Sequence, residues 1–482
     1  MEQPEHLDVL IIGAGLSGIC AGAHMAMQRP RDSFAILEAR DAIGGTWDLF
    51  RYPGVRSDSD MFTFGFRFRP WTEGKDIASA SSILNYLDET VDKYDLRPKI
   101  RFGQRVTKLN WSPYEAKWEL TVISDDGETR QVTCGYLMAC SGYYDYAHPY
   151  QPEFPGRDAF KGLIAHPQHW PEDLDYAGKK VAVIGSGATA VTLVPTMAET
   201  AAKVTMVQRS PTYVASRPSV DPVAQAAMRY LPAKLAHRLA RIKNIILGVF
   251  FYTLAQRRPD YVKRGLMKEI RKAVGPDVDV ETHFNPTYDP WDQRLCLVPD
   301  GDLFAALKSR RADIVTDQIE TFTATGLRTA GGQEIEADII IPATGLTVQF
   351  LGGAEIYIDH VPLDLTENTI YRGMMLSDVP NLTVVFGYTN ASWTLKADLT
   401  CDYVMRLLSY METQGHKVAT AVSDDDMARR PLINLESGYI LRALAQLPKQ
   451  GSRAPWRNSD NYILDMMSIR YGRMNDGVIA FR

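Results

Sequence analysis

An α/β fold with two parallel-sheet units and a helical insertion is what this 482-residue sequence predicts. Three observations carry the prediction. Two short runs of branched apolar residues each lead into a glycine-rich turn. Each turn is followed by helical sequence and a second apolar strand that ends in a charged side chain. A helix-rich stretch, about 217–290, interrupts the second unit.

The first unit opens with Leu7-Asp8-Val9-Leu10-Ile11-Ile12, the nearly continuous apolar run of a strand buried on both faces. It enters Gly13-Ala14-Gly15-Leu16-Ser17-Gly18, a G-x-G-x-x-G spacing. Gly13 permits the tight turn, Gly15 lets backbone approach a pyrophosphate, and Gly18 lets the next helix pack closely on the strand. The pyrophosphate then rests on the helix N-terminus. The following strand, Phe34-Ala35-Ile36-Leu37, ends in Glu38, twenty residues past Gly18. A carboxylate there accepts hydrogen bonds from both ribose hydroxyls and repels a 2′-phosphate, so this unit suits FAD or NAD and not NADP. Glycine-rich turns occur wherever a chain bends sharply; strand, helix and acid in register give this one its meaning.

The second unit repeats the grammar with one change. Lys179 to Ile184 leads into Gly185, Ser186, Gly187, Ala188, Thr189, Ala190 and Val191, and the next strand, Val204 to Val207, ends at Gln208-Arg209-Ser210. Acid has become base. A guanidinium with a hydroxyl beside it matches the 2′-phosphate of NADP by charge-assisted, bidentate hydrogen bonding. Alone, Arg209 reads equally well as a solvated surface charge; in this frame the phosphate role is favoured. Each unit is also followed by a closing strand with small residues at its end, Tyr136 to Gly142 and Ala337 to Gly345. The pairing predicts two Rossmann-like dinucleotide-binding domains: an FAD domain formed by 1–149 and 343–482, and an NADP domain over 150–342 that carries the helical insertion.

Composition agrees with an ordinary globular enzyme: 45% hydrophobic, 23% charged and a formal net charge of -5. No Lys/Arg block points to nucleic acid. The five cysteines, Cys20, Cys134, Cys140, Cys296 and Cys401, form no CxxC pair and no metal-ligand spacing, and read as reduced thiols in a cytoplasmic protein; no metal is expected. The N-terminus lacks the basic and apolar regions of a signal peptide. The most apolar stretch, Ile245 to Ala255, falls short of the roughly 20 residues that span a bilayer. Its basic flanks admit contact with a membrane surface, but a helix burying one face inside the protein or lining a substrate passage is the preferred expectation. Phe250, Phe251, Tyr252, Leu254 and Met267 are candidates to line such a passage.

Between the units, Phe160 to Pro171 fits F-x-G-x-x-x-H-x-x-x-W-P, with His166 at its centre. This pattern resembles the fingerprint of type I Baeyer–Villiger monooxygenases. The resemblance continues through Gly44 to Asp60, Trp291 to Pro299 and Gly387 to Asp398, and looks like the branch containing the bacterial ethionamide-activating monooxygenase. It implies FAD contacts at Ser17, Glu38, Thr46, Trp47, Asp48 and Leu49, with Trp47 covering the flavin. It implies a backbone contact to adenine at Val106, and a loop of Arg56, Ser57 and Asp58 facing the nicotinamide end of NADP. Arg294 resembles the active-site arginine and Asp58 the residue that holds it; an ordinary ion pair, or two unrelated charges, is the alternative. Many relatives carry a lysine where this chain has Gln293, which shifts NADPH preference onto Arg209. For His166 a packed linker residue coupling the domains is preferred over a proton-transfer catalyst.

The activity implied uses FAD, NADPH and O₂ to insert one oxygen atom beside a ketone carbonyl, with sulfides or thioamides as further substrates. A permanently charged guanidinium suits that chemistry because it stabilises negative charge developing on oxygen. The nearest rival is an N- or S-oxidising flavin monooxygenase; a disulfide oxidoreductase lacks its dithiol here, and a non-catalytic flavin-binding regulator is more remote. Met374-Met375 and Met466-Met467 read as gap-filling core, His24 as packed or capping, and Asp424-Asp425-Asp426 as a solvated turn. Trp456 reads equally as a core residue or an NADP contact.

Overall fold

The computed structural model describes residues 4–73, 75–293, 295–424 and 426–482. Arg294 and Asp425 therefore lie outside the described residues. In chain order the first part gives β1 (Glu5–Ile12), α1 (Leu16–Gln28), β2 (Phe34–Leu37), α2 (Thr46–Leu49), α3 (Met61–Phe64), α4 (Ala80–Lys93), β3 (Ile100–Arg101), β4 (Gln104–Ser112), β5 (Lys117–Ser124) and β6 (Thr129–Ala139). The middle part gives β7 (Leu163–Ile164), β8 (Lys180–Ile184), α5 (Ala188–Met197), β9 (Lys203–Gln208), β10 (Val214–Arg217), α6 (Pro222–Tyr230), α7 (Ala233–Arg257), α8 (Pro259–Val274), α9 (Val280–Phe284), β11 (Cys296–Pro299), α10 (Asp302–Lys308), β12 (Ala312–Thr316), β13 (Ile319–Thr323), β14 (Gly326–Thr329), β15 (Glu334–Glu336) and β16 (Ile339–Pro342). The last part gives β17 (Glu355–Ile358), β18 (Val361–Pro362), β19 (Ile370–Tyr371), β20 (Met375–Leu376), β21 (Leu382–Val384) and α11 (Trp393–Gln414).

Two sheets organise the chain. The larger runs β18-β17-β4-β5-β6-β1-β2-β3, and β21 also pairs with β6. At its centre β1 lies parallel to β2 and β6, with Ile11 opposite Ile36 and Met138. The smaller runs β12-β9-β8-β16-β7 with every pair parallel. Parallel central strands must be covered on both faces, which explains why Leu10, Ile11, Ala182 and Val183 are fully buried. Strands β1, β2, β8, β9 and β16 lie within three residues of their expected limits, β6 begins at Thr129 rather than Tyr136, and helices α6 to α9 fall between 222 and 284.

The two units close in the same way. Gly13 N–H donates to Leu37 O at 2.7 Å and Cys140 N–H to Ile12 O at 2.8 Å; Gly185 N–H donates to Val207 O and Ala343 N–H to Ile184 O, both at 2.8 Å. The segments that leave β6 and β16 then run antiparallel to one another. Asp145 N–H donates to Thr347 O at 2.9 Å and Gln349 N–H to Tyr143 O at 3.0 Å, so a short two-stranded crossing joins the sheets.

Several expectations are corrected here. Phe250 and Phe251 are 56% and 57% exposed, because their face of α7 points away from the protein, while Met267 packs into the core from the buried face of α8. Met374 and Met375 are core residues, but Met467 is 61% exposed. Trp456 is buried edge-on to Tyr371. All five cysteines are buried, and none is in a disulfide among the described residues.

His24 is packed, and charged as well. Its Nε2 lies 3.0 Å from Asp398 and its Nδ1 3.6 Å from Asp402, where α1 meets α11. Arg67 and Arg470 reach the same two carboxylates, at 3.0 Å and 2.7 Å respectively. Burial works against the protonated ring, yet its hydrogen bonds to Asp398 and Cys20 outweigh it and raise its pKa to about 10. Asp398, despite its burial, is held well below the usual carboxylate range by His24, Arg67 and Arg241.

The pair's contribution to stability is therefore full from the ordinary aspartate value of 3.8 to the ordinary histidine value of 6.5. It fades as pH falls through the carboxylate's folded pKa or rises toward 10. His24→Gln should lower stability at pH 6 by on the order of 3 kcal/mol and flatten the decline at alkaline pH, measured by denaturant unfolding across a pH series.

Candidate functional site

The glycine loops after β1 and β8 open onto one cavity of about 1100 Å³. That exceeds the roughly 300–1,000 Å³ of a single small-ligand pocket. Gly13, Gly15, Ser17, Glu38, Thr46, Trp47, Arg56, Ser57, Asp58 and Val106 reach it from the larger-sheet side. Gly185, Ser186, Gly187, Ala188, Thr189, Arg209 and Ser210 reach it from the other side, and Gln293 lines it too. Gly18, Asp48, Leu49, Ala190 and Val191 do not line it. Gly18 backs the Gly13 turn, and Ala190 and Val191 are buried in α5. The Asp48 carboxylate is engaged by Arg40 at 2.5 Å and Arg51 at 3.0 Å.

The glycines separate into two kinds. A Cβ on Gly18 would collide with the Gly13 carbonyl oxygen, and one on Gly13, already at φ +97°, would sit 2.8 Å from Cys140 O. A Cβ on Gly15 would meet nothing nearer than Gly45 Cα at 3.6 Å, and one on Gly187 would meet no protein atom within 4 Å. The fold needs the first kind; room for a ligand is what the second kind leaves.

Polar groups around the cavity are partly satisfied. Glu38 accepts from the N–H groups of Ala14 at 2.7 Å and Arg40 at 2.9 Å. Burial raises its pKa, and those backbone donors hold the rise in check. A carboxylate oxygen carries two lone pairs, so each keeps acceptor capacity toward a hydroxyl. Arg56 pairs through Nη1 with Asp302 at 2.6 Å, while its Nη2, Thr344 Oγ1 and Gln104 Oε1 are buried on the wall without a hydrogen-bond partner among the described residues. Unmet buried donors and acceptors are costly, so this wall fits a polar ligand in the manner a dinucleotide requires. Arg209 and Ser210 stand exposed at the end of β9.

His166 belongs to the frame. Gln168 N–H donates to its Nδ1 at 3.1 Å, which leaves Nε2–H to donate to Tyr150 O at 3.2 Å. Burial lowers its pKa, consistent with this neutral ring. Gln168 Nε2 donates to Asp145 O at 2.7 Å and Tyr146 O at 3.1 Å, so the fingerprint segment braces the crossing strands.

Sequence reasoning assigned no role to Trp393, Tyr143 or Tyr146. Trp393 Nε1–H donates to Ser17 Oγ at 2.8 Å, and its ring stacks on Tyr143 at 5.2 Å. Tyr146 shares a hydrogen bond with Thr46 at 3.0 Å. All three line the cavity. Trp393 lay inside a segment that carried the family resemblance, but its partner is 376 residues away and no local spacing announces the contact.

Comparison with known proteins adds the following. The NAD(P)-binding Rossmann-like domain family matches residues 11–75, and the flavin-binding monooxygenase-like family matches 68–239. The FAD-containing monooxygenase EthA of Mycolicibacterium smegmatis is 51% identical over 99% of this chain and 97% of its own length. EthA of Mycobacterium tuberculosis is 50% identical over 99% and 98%. An oxidized steroid monooxygenase bound to NADP superposes with a TM-score of 0.78 over 99% of both chains at 23% identity, a likeness of fold.

Gly15→Ala and Gly18→Ala should part company. The first should keep the melting temperature while weakening dinucleotide binding by about tenfold or more, read by ligand titration; the second should fail in thermal unfolding before any ligand is added.

Proposed function

This chain belongs to the family of FAD-containing monooxygenases, and from that premise we propose that it is an NADPH-dependent Baeyer–Villiger monooxygenase. It inserts one atom of O₂ beside a ketone carbonyl to give an ester or lactone, and oxidises sulfides or thioamides as well. The single observation that carries this reading is the shared cavity: both glycine loops, one followed by Glu38 and the other by Arg209, face a space too large for one small ligand. When bound, FAD reduced by NADPH supplies the oxygen-activating chemistry.

The chain's own residues bind, orient and polarise. Gly13, Gly15 and the N-terminus of α1 would hold the FAD pyrophosphate, Glu38 would accept from its ribose, the Val106 backbone would meet its adenine, and Thr46 and Trp47 would border its ring system, with Asp48 and Leu49 behind them. Gly185 to Thr189 would hold the second pyrophosphate, with Ala190 and Val191 packed behind them in α5, and Arg209 with Ser210 would bind the 2′-phosphate. Arg56, Ser57 and Asp58 form the nicotinamide end. Arg294 stabilises the negative charge that develops on oxygen as the carbonyl is attacked, and Asp58 orients it. The division into an FAD domain, 1–149 with 343–482, and an NADP domain, 150–342, follows the same reading, as does a cytoplasmic location.

Purified enzyme incubated with NADPH, ¹⁸O₂ and a panel of linear, cyclic and aryl ketones plus sulfides should yield esters or lactones carrying one labelled atom. Label confined to sulfoxides or N-oxides would sink the Baeyer–Villiger assignment. Arg294→Ala should keep its flavin and lose ester formation. Arg209→Ala should raise KM for NADPH by about tenfold or more and leave KM for NADH nearly unchanged in steady-state kinetics; an equal rise in both would remove the phosphate role.

A further inference from the structure

Helix α7 is built inside out. Its buried face carries Ala236, His237, Ala240, Arg241 and Asn244. Arg241 Nη1 donates to the carbonyls of Phe62 at 2.8 Å and Gly65 at 2.7 Å, and Asn244 Nδ2 donates to Asp60 at 2.8 Å. Its outer face carries Leu235, Leu239, Ile242, Ile246, Phe250 and Phe251, between 44% and 57% exposed. Spacings of three and four residues align Leu235, Leu239, Ile242, Ile246 and Phe250 in one stripe, about four helical turns long. A helix facing water shows the reverse arrangement, and a continuous apolar stripe of this size marks a contact surface.

Charge says what the stripe contacts. Residues 222–272 contain twelve Lys and Arg against Asp260 and Glu269, in a chain whose net charge is -5; of the twelve, Arg241 turns inward, Lys243 pairs with Asp221 and Arg271 with Glu281, which leaves nine. Arg229, Lys234 and Arg238 near one end of the stripe and Arg257 and Arg258 at the other are exposed. Two copies of so basic a face repel each other. An anionic lipid surface accepts both parts, the side chains at the acyl boundary and the cations among the headgroups. No helix among the described residues is long and apolar enough to cross a membrane. We propose that α7 lies along the surface of a bilayer rich in anionic phospholipid and docks the protein there.

The test is sedimentation of the flavin-loaded full chain with vesicles. Vesicles of phosphatidylglycerol mixed with phosphatidylcholine should carry it down, and pure phosphatidylcholine should carry about tenfold less. Raising salt from about 0.1 M to about 1 M should erase that preference. Phe250→Ser with Phe251→Ser should cut binding by about tenfold or more, and Arg238→Glu should weaken binding only to the anionic vesicles. Both variants should keep the NADPH oxidation rate, since neither site lines the cavity. Absence of wild-type binding, or equal binding to both vesicle types, overturns the proposal. So does a vesicle-free dimer that the phenylalanine double variant dissociates, which would give the face to a second copy of the chain.

Discussion

The crossing of two linking segments, Tyr143 to Asp145 against Thr347 to Gln349, is the constraint on which the site depends. Each parallel sheet alone would make a nucleotide-binding edge. The antiparallel hydrogen bonds of the crossing set those edges face to face, and the Arg56–Asp302 ion pair adds a second tie between them. The hydrogen bonds that Gln168 sends to Asp145 and Tyr146, and His166 to Tyr150, make the third segment of the frame. A neutral imidazole accepting from one backbone group and donating to another is rigid in a way that a proton-transfer residue is not. That distinction locates the importance of the fingerprint histidine in geometry.

Backbone requirements were legible in the sequence because they are local. Strands β1 and β8 announce themselves by continuous apolar runs, the glycines by their spacing, and Glu38 and Arg209 by opposite charge at equivalent strand ends. Contacts across sequence were not legible. Nothing near Ser17 reveals that Trp393, 376 residues away, will donate to its hydroxyl. Helix α7 was misjudged for a related reason. Apolar periodicity identifies a helix with two unlike faces, but the rule that the apolar face turns inward presumes water outside. Here the inner face is held by Arg241 and Asn244 to backbone carbonyls and Asp60, so polar anchoring overrides the periodicity.

The cluster of His24, Asp398, Asp402, Arg67 and Arg470 bears on the cavity although it lies behind it. Helix α1 begins beside Ser17 and α11 begins at Trp393, so the hydrogen bond between those residues joins the two helix starts. The ion pairs tie the same two helices together about two turns further on. A buried salt bridge rarely adds net stability over well-packed apolar residues, since desolvation cancels most of the attraction. Its charges do, however, penalise every register in which they are left unpaired. Sliding α1 along α11 by one turn would separate His24 from Asp398 and strand a charge in the core. The cluster thereby fixes the indole of Trp393 against the first glycine loop, and the cost of burying charge is offset by placement of the cavity wall.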